Sequence, residues 1–476
     1  MNRLSPVLLG VLALGVAGCT LEPRYRRPAA PVAGQWPAAS ATALGDAVSD
    51  SSASADTAWH DFIVDARLRQ VVELALRHNR DLRVAALNAE LARALYGIQR
   101  DSLFPALAAT GQGGKQRAAA ELTQPGQPRT SESYSVAAGV FSWEIDFFGR
   151  VRSLNKEAWQ QYQASREARR GAQTVLISGV SGAYLALAAD RDALAFAHRT
   201  LDAQQSSYDL VHRQYDAGIA TELDLRQAQI PLETARASVA QYTRQVAQDE
   251  NALTLLVGTT LPAELQPAGL GEGSYFREVR AGLPSEILLD RPDVLRAEAS
   301  LKAANADLGA ARAAFFPRIA LTGTLGSGSR ELSGLFDGGT GTWSFLPSAS
   351  LPLFDARTWT AHRAAQVQRE LAVAQYEKAI QSAFRDVADT LAARATLGEQ
   401  LAAQERLVAA LTEAHRLATA RFEQGIDSYL RVLDAQRSLY AAQQGLVALR
   451  RTTLASRVQL YTALGGGGVE EPSPRQ

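Results

Sequence analysis

Hydrophobic positions along this chain keep a helical period over long stretches and lose it over short ones. Near the C-terminus Val432, Ala435, Leu439, Ala442, Leu446 and Leu449 recur at alternating spacings of three and four, and Leu433, Tyr440, Val447, Leu454 and Tyr461 form a second row seven apart. The first register occurs earlier as Leu225, Ala228, Leu232, Ala235, Val239, Tyr242 and Val246. Residues three and four apart share one helix face, so these rows predict helices packed along their length. Two apolar rows on one helix predict neighbours on both sides, as staves have in a barrel. The preceding helices carry Leu201, Tyr208 and Tyr215, and Leu401, Val408 and Phe422. No Pro interrupts 150–215, and an uninterrupted helix of that length would reach roughly 100 Å. The stretch 357–422 is equally long and also free of Pro. Helices of this length predict an elongated, multi-helix assembly.

Between the helical stretches the period changes. Helices over 65–100 and 285–313 are predicted to end before Phe104-Pro105 and Phe316-Pro317, because Pro cannot continue a helix. Each is followed by two segments of small, Thr and aromatic residues, 106–115 with 134–143 and 318–327 with 342–351. Gly, Ser, Pro and Thr fill the loops at 116–133 and 328–341, which is hairpin composition. A segment of about 10 residues is the length of a tilted membrane-spanning strand.

The whole order occurs twice. Asn79–Pro105 aligns with Arg291–Pro317 without gaps, Asp81 meeting Asp293 and Ala92 meeting Ala304. Further along, Arg150 meets Arg357, Tyr215 meets Phe422, Gly218-Ile219 meets Gly425-Ile426 and Gly258 meets Gly465 at one constant offset. Such self-similarity marks a duplicated unit. The expected division is a first repeat at 59–258, a linker rich in Pro and Gly at 259–283, a second repeat at 284–465 and a tail at 466–476 with a run of Gly at its start.

The N-terminus reads as a targeting segment. Arg3 is followed by an apolar run from Val7 to Val16, too short to cross a bilayer as a helix, that ends in Val16-Ala17-Gly18-Cys19. Small residues before the only Cys of the chain match a lipoprotein signal, so 1–18 is expected to be removed and Cys19 lipidated. Thr20 in place of Asp favours the outer membrane. Residues 19–58, rich in Pro, Ala and Ser, then form an arm or tether.

Composition removes several classes of function. Lys+Arg and Asp+Glu both total 49 in 476 residues, which argues against nucleic-acid binding, where positive charge must displace counterions. A single Cys leaves no internal disulfide and no Cys-based zinc site. The six His form no metal-ligand spacing, and no nucleophile elbow or phosphate-binding glycine motif stands in a suitable context. No enzyme, cofactor or metal is expected.

The strings LLDRPDVLRAEASLKAANADLGAARAAFFPRIALTG, WEIDFFGRVR and FEQGIDSYLRVLDAQRSLY, with GCTLEPRYRRP after the signal segment, resemble the TolC/OprM family of outer-membrane efflux proteins. The likeness is to its lipoprotein (NodT-like) branch in resistance-nodulation-division efflux systems, and it covers nearly the whole mature chain. It implies a mainly α fold with a small membrane β-barrel, two structural repeats per chain, and a homotrimer. In that trimer a 12-stranded β-barrel continues into a 12-helix periplasmic α-barrel. Implied partners are a periplasmic adaptor, an inner-membrane efflux transporter and outer-membrane lipid. Two other readings are an exit duct of a type I-like protein secretion system and a lipid-anchored coiled-coil protein without a pore. The lipobox disfavours the former and the aromatic-flanked hairpins the latter. The resemblance places adaptor contacts at the turns of Gly218 and Gly425, and a periplasmic gate at Leu430, Arg431, Asp434 and Asp224. Arg431 stands where some relatives carry an acid, and Phe422 where relatives often carry Tyr. The gate latch here is therefore expected to rely on Arg431 with Asp434 or Asp224.

Overall fold

A computed structural model describes residues 20–37, 58–124, 126–271, 274–278 and 285–466. The described residues form α1 (Trp59–Phe62), α2 (Ala66–His78), α3 (Arg80–Asp101), β1 (Leu107–Arg117), β2 (Thr130–Ile145), α4 (Arg150–Asp216) and α5 (Glu222–Val257). They continue as α6 (Pro292–Ala313), β3 (Arg318–Ser329), β4 (Gly341–Ser350), α7 (Ala356–Glu423) and α8 (Tyr429–Ala463). The residues group into two compact units. One draws on Met1–Ala29, Asn88–Arg166 and Arg296–Glu377, the other on Ala30–Leu87, Glu167–Leu295 and Lys378–Gln476.

The helix expected at 65–100 is two helices. Asn79 adopts an extended backbone between α2 and α3. Its carboxamide oxygen accepts from the Leu82 N–H at 2.8 Å, which caps α3, and its Nδ2 donates to the Leu256 carbonyl at 2.8 Å. A side chain that bonds its own backbone competes with helix continuation. Likewise α6 begins at Pro292, behind a 3₁₀ turn at Ser285–Asp290 rather than as one helix from 285. Pro is well suited to the first helical position, where its missing N–H costs nothing.

The second unit holds most of the helical core. Leu68, Val71, Val72 and Ala75 bury one face of α2. Phe62 stacks on Tyr461 at 4.1 Å and on Phe276 at 5.1 Å between ring centroids. Arg291, almost fully buried, donates to the Ala463 carbonyl at 2.6 Å and pairs with Asp293 and Asp386 at 2.9 and 3.4 Å. A stretch of α4 is apolar enough to cross a membrane by composition, yet 56% of it is buried inside the chain, as in a core helix.

The first unit contains an antiparallel sheet in the order β1-β2-β3-β4. It also contains the start of the arm, which is docked rather than loose. Glu22 accepts from Lys156 Nζ at 2.8 Å and from Asn305 Nδ2 at 3.1 Å. Arg27 makes a two-pronged pair with the Glu298 carboxylate at 2.9 and 2.8 Å, and the Tyr25 hydroxyl donates to the same group at 3.0 Å. Gly309 lets the arm lie flat on α6, since a Cβ there would stand 2.8 Å from the Glu22 Cα.

Near this junction Glu157 sits in an unfavourable place for a charge. Burial, followed by the nearby Asp307 carboxylate, pushes its carboxyl up to about 7 from the usual 4.5. The folded chain then holds a proton that the unfolded chain releases, so stability falls as pH rises from 4.5 to about 7. Urea unfolding is expected to show a higher midpoint at about pH 5 than at about pH 8. Glu157→Gln should shrink that difference, and an unchanged difference would place its source in other groups.

Candidate functional site

Two regions bring functional side chains together: the sheet and the turns at the helix tips. In the sheet, residues directly opposite each other share a face, and successive residues alternate between faces. The register aligns Leu107, Val140, Gly323 and Phe345 in one row, and Ala109, Ala138, Leu325 and Trp343 in the next row of the same face. The opposite face carries the rows Ala108, Gly139, Thr324, Ser344 and Thr110, Ala137, Gly326, Thr342. The Thr324 and Ser344 hydroxyls bond each other there at 2.6 Å. One face is therefore apolar and the other small and polar, and Trp343, Phe345 and Leu325 are largely exposed. A water-soluble sheet would bury such a face against a core; this sheet leaves it open. β1 and β4 are the two edges, with unpaired backbone groups along their outer sides.

The helix tips are built twice on one plan. Gly218 and Gly425 follow α4 and α7 with φ of 74° and 73°, in the left-handed region that glycine tolerates. The Ile219 N–H reaches back to the Gln214 carbonyl at 2.8 Å, and the Ile426 N–H to the Arg421 carbonyl at 2.9 Å. Those are the closing bonds of a Schellman stop. Ile219 and Ile426 are then left exposed at 78% and 56%, and Leu223 and Leu430, which correspond between the repeats, are exposed too.

The next helix starts differ. In α5 the Thr221 hydroxyl accepts from the Asp224 N–H while the Asp224 carboxylate accepts from the Thr221 N–H, a reciprocal capping box. The Thr221 side-chain and backbone hydrogen bonds hold the Asp224 carboxyl below the usual range. In α8 the corresponding residues are Ser428 and Arg431, and Ser428 makes no side-chain cap bond. A guanidinium in the first turn also opposes the positive end of the helix dipole.

Within one chain, then, Asp224 is engaged at its own helix start and Asp434 pairs with Arg437 at 2.7 Å. Arg431 forms no ion pair among the described residues, so neither Arg431–Asp434 nor Arg431–Asp224 is made inside a single protomer. Leu430 and Asp434 do share one helix face and line the same groove. The Phe422 ring, without a hydroxyl, packs on Tyr429 at 5.1 Å. Cys19 lies outside the described residues. Sequence reading missed the docking of the arm, for which the opposite charges of Glu22 and Arg27 in a Pro-rich segment were the available signal.

A small sheet with one apolar face and two open edges, on one chain with long heptad helices, is the build of a membrane-channel subunit. The sequence pattern of the family described as Outer membrane efflux protein matches residues 71–259 and 283–466. The chain is 47% identical over 464 residues, 97% of its length and 96% of the relative's, to the probable efflux pump outer membrane protein TtgC of Pseudomonas putida. It superposes with a TM-score of 0.87 on a membrane protein from Pseudomonas aeruginosa, 43% identical, covering 94% of this chain and 98% of that one. With the open state of the Neisseria gonorrhoeae MtrE outer membrane channel the TM-score is 0.84 at 39% identity, covering 94% of this chain and 98% of that one. The chain belongs to the outer membrane efflux protein family. It is an exit duct of efflux pumps, placed in the outer membrane of a Gram-negative cell and extending into the periplasm.

Proposed function

We propose that three copies of the chain assemble into one passive duct for drugs and other small molecules, without catalysis. The observation that carries this is the two-faced, open-edged sheet. Unpaired strand edges are prohibitively costly in lipid, so β4 of one copy must pair with β1 of the next until the ring closes. Three copies of a four-stranded sheet give a 12-stranded barrel with the apolar rows outward and the Thr and Ser rows lining the pore. Two copies would give a barrel narrow enough to be filled by its own side chains. The two repeats, 59–258 and 284–465, supply near-equivalent helices to a 12-helix tunnel. Cys19 adds a lipid anchor after loss of 1–18, and 19–58 runs from it as the arm. An inner-membrane transporter drives export and a periplasmic adaptor links it to the duct. Toluene appears in the names of three Pseudomonas putida relatives. Small apolar compounds of that kind are the substrate class proposed here.

Single-channel recording in planar bilayers tests the reading. Conductance steps are expected, and a protein that inserts without conducting would be a scaffold. Closure of the ring has its own readout. Cysteines placed together on β1 at Thr110 and along β4 at Thr342, Ser344 or Ser348, in a Cys19→Ser background, should give covalent trimers on non-reducing gels. Ladders that stop at dimers would overturn the threefold ring.

The turns at Gly218 and Gly425 are proposed as docking knobs for the adaptor, because each presents an exposed Ile beside a rigid helix stop. A Cβ at Gly218 would meet nothing within 4 Å, so a larger side chain has room although its φ is strained. Gly218→Trp should cost about 1–2 kcal/mol locally and leave trimer yield intact. Dye efflux by intact cells is expected to fall several-fold. Loss of the trimer itself would make the turn purely structural.

A further inference from the structure

A cavity beside the helix tips is not accounted for by the duct wall or the adaptor turns. Pro231 stands inside α5. Having no N–H, it leaves the Gln227 carbonyl without its donor in the helix ladder, and its ring presses on that carbonyl. The corresponding residue of the second repeat is Ser438, so α8 carries no such break. Next to Pro231, α4, α5 and α8 leave a cavity of about 370 Å³, partly open to solvent. Ile230, Pro231, Ala235 and Leu433 give it apolar walls, and Gln204 and Tyr440 also line it. Gln204 is only 3% exposed, and among the described residues neither its Oε1 nor the Tyr440 hydroxyl has a hydrogen-bond partner. Unmade bonds at buried polar atoms are costly, and a ligand that supplies a donor recovers that cost.

We propose that this cavity binds a flat apolar molecule bearing a single N–H or O–H donor, an arylamine or a phenol. The volume lies in the range of small-ligand sites, and the walls are mostly apolar with a few polar side chains among them, as such sites require. The candidate acceptors are Gln204 Oε1 and the Tyr440 hydroxyl, which a side-chain rotation turns toward the cavity that both residues line, and the carbonyl that Pro231 leaves without its helix donor on Gln227. Leu430 and Asp434 line the same cavity. Resting on the reading of those two residues as the gate, an occupant wedged between α5 and α8 restrains their separation and lowers conductance. Among the described residues the site is expected once per chain, because the counterpart of Pro231 in the other repeat is Ser438.

The test uses the full-length protein in lipid nanodiscs and N-phenyl-1-naphthylamine, which has three aromatic rings and one N–H and brightens in apolar surroundings. Empty nanodiscs give the partitioning background. Above it, a saturable signal of one site per chain is expected. Thr234→Trp, at an exposed position on the rim, should abolish it, and Pro231→Ser should weaken it about tenfold by returning a donor to the Gln227 carbonyl. Ile230→Gln, also exposed, serves if the Trp variant fails to assemble. In planar bilayers the probe should lower the conductance of the unaltered protein and leave that of Thr234→Trp unchanged. Fluorescence that only tracks lipid content, or binding that both Thr234→Trp and Ile230→Gln leave intact, would overturn the site. Saturable, variant-sensitive binding to a protein that never conducts would keep the site and overturn the duct.

Discussion

Replacing Asp434 and Arg431 together by alanine is expected to raise single-channel conductance several-fold and to sensitise cells to large antibiotics such as vancomycin. Folding should be spared. Asp434 and its partner Arg437 are both mostly exposed, and exposed pairs of this kind contribute only a few tenths of a kcal/mol. Arg431 forms no ion pair among the described residues, so the proposed latch is expected to reach a neighbouring protomer. In a threefold ring the double variant removes three carboxylates and three guanidinium groups from the narrowest proposed section. Asp434→Ala alone should open the channel less, because Arg431 remains. Conductance and vancomycin sensitivity that both stay at the unaltered values would put the constriction elsewhere.

Glu298→Ala is expected to destabilise the docked arm by about 2 kcal/mol, since it removes charge-assisted hydrogen bonds but leaves Arg27 half exposed to water. Burial pushes the Glu298 carboxyl up, but hydrogen bonds from Arg27, Tyr25 and Lys302 outweigh it and hold the group below the usual carboxylate range. The stabilisation is therefore present above the unfolded pKa and is lost as pH falls through the folded one. With Glu298 gone, the buried end of the Arg27 pair disappears and the arm loses its main tether. Gly309→Val attacks the same dock sterically, since its Cβ would meet the Glu22 backbone. Both variants should show earlier heat dissociation and faster proteolytic cleavage between Thr20 and Pro37. An arm that stays protected in both would show that its contacts along α6 are redundant.

Much of this architecture was legible in the sequence because heptads, long Pro-free stretches and the duplication are local, repeated signals. The first long helix runs one residue past expectation at its end and the second one residue past it at both ends, Arg150–Asp216 and Ala356–Glu423 against 150–215 and 357–422. The strands were visible as composition, but the assignment of their two faces needed the cross-strand register, which no single segment contains. The break at Asn79 was hidden because an Asn with helical neighbours on both sides carries no signal until its side chain finds the Leu256 carbonyl. The proposed gate residues are a different case. Their spacing places Leu430 and Asp434 on one face, but it did not show that Asp434 pairs with Arg437 rather than Arg431. Pro231 was readable, and its consequence was not, because the cavity needs three helices to form.

The unequal helix starts have a consequence for how the duplicated halves share their work. Thr221 with Asp224 and Ser428 with Arg431 descend from one ancestral pair, and only the first still closes on itself. A tube of six nominally equal members would have no preferred place to begin moving. In the proposed trimer, exchanging one acid for a base in alternate members gives three helix starts with a capping box and three without one. In the proposed trimer the tips are thereby threefold rather than sixfold, and the start without a clasp is the one proposed to move.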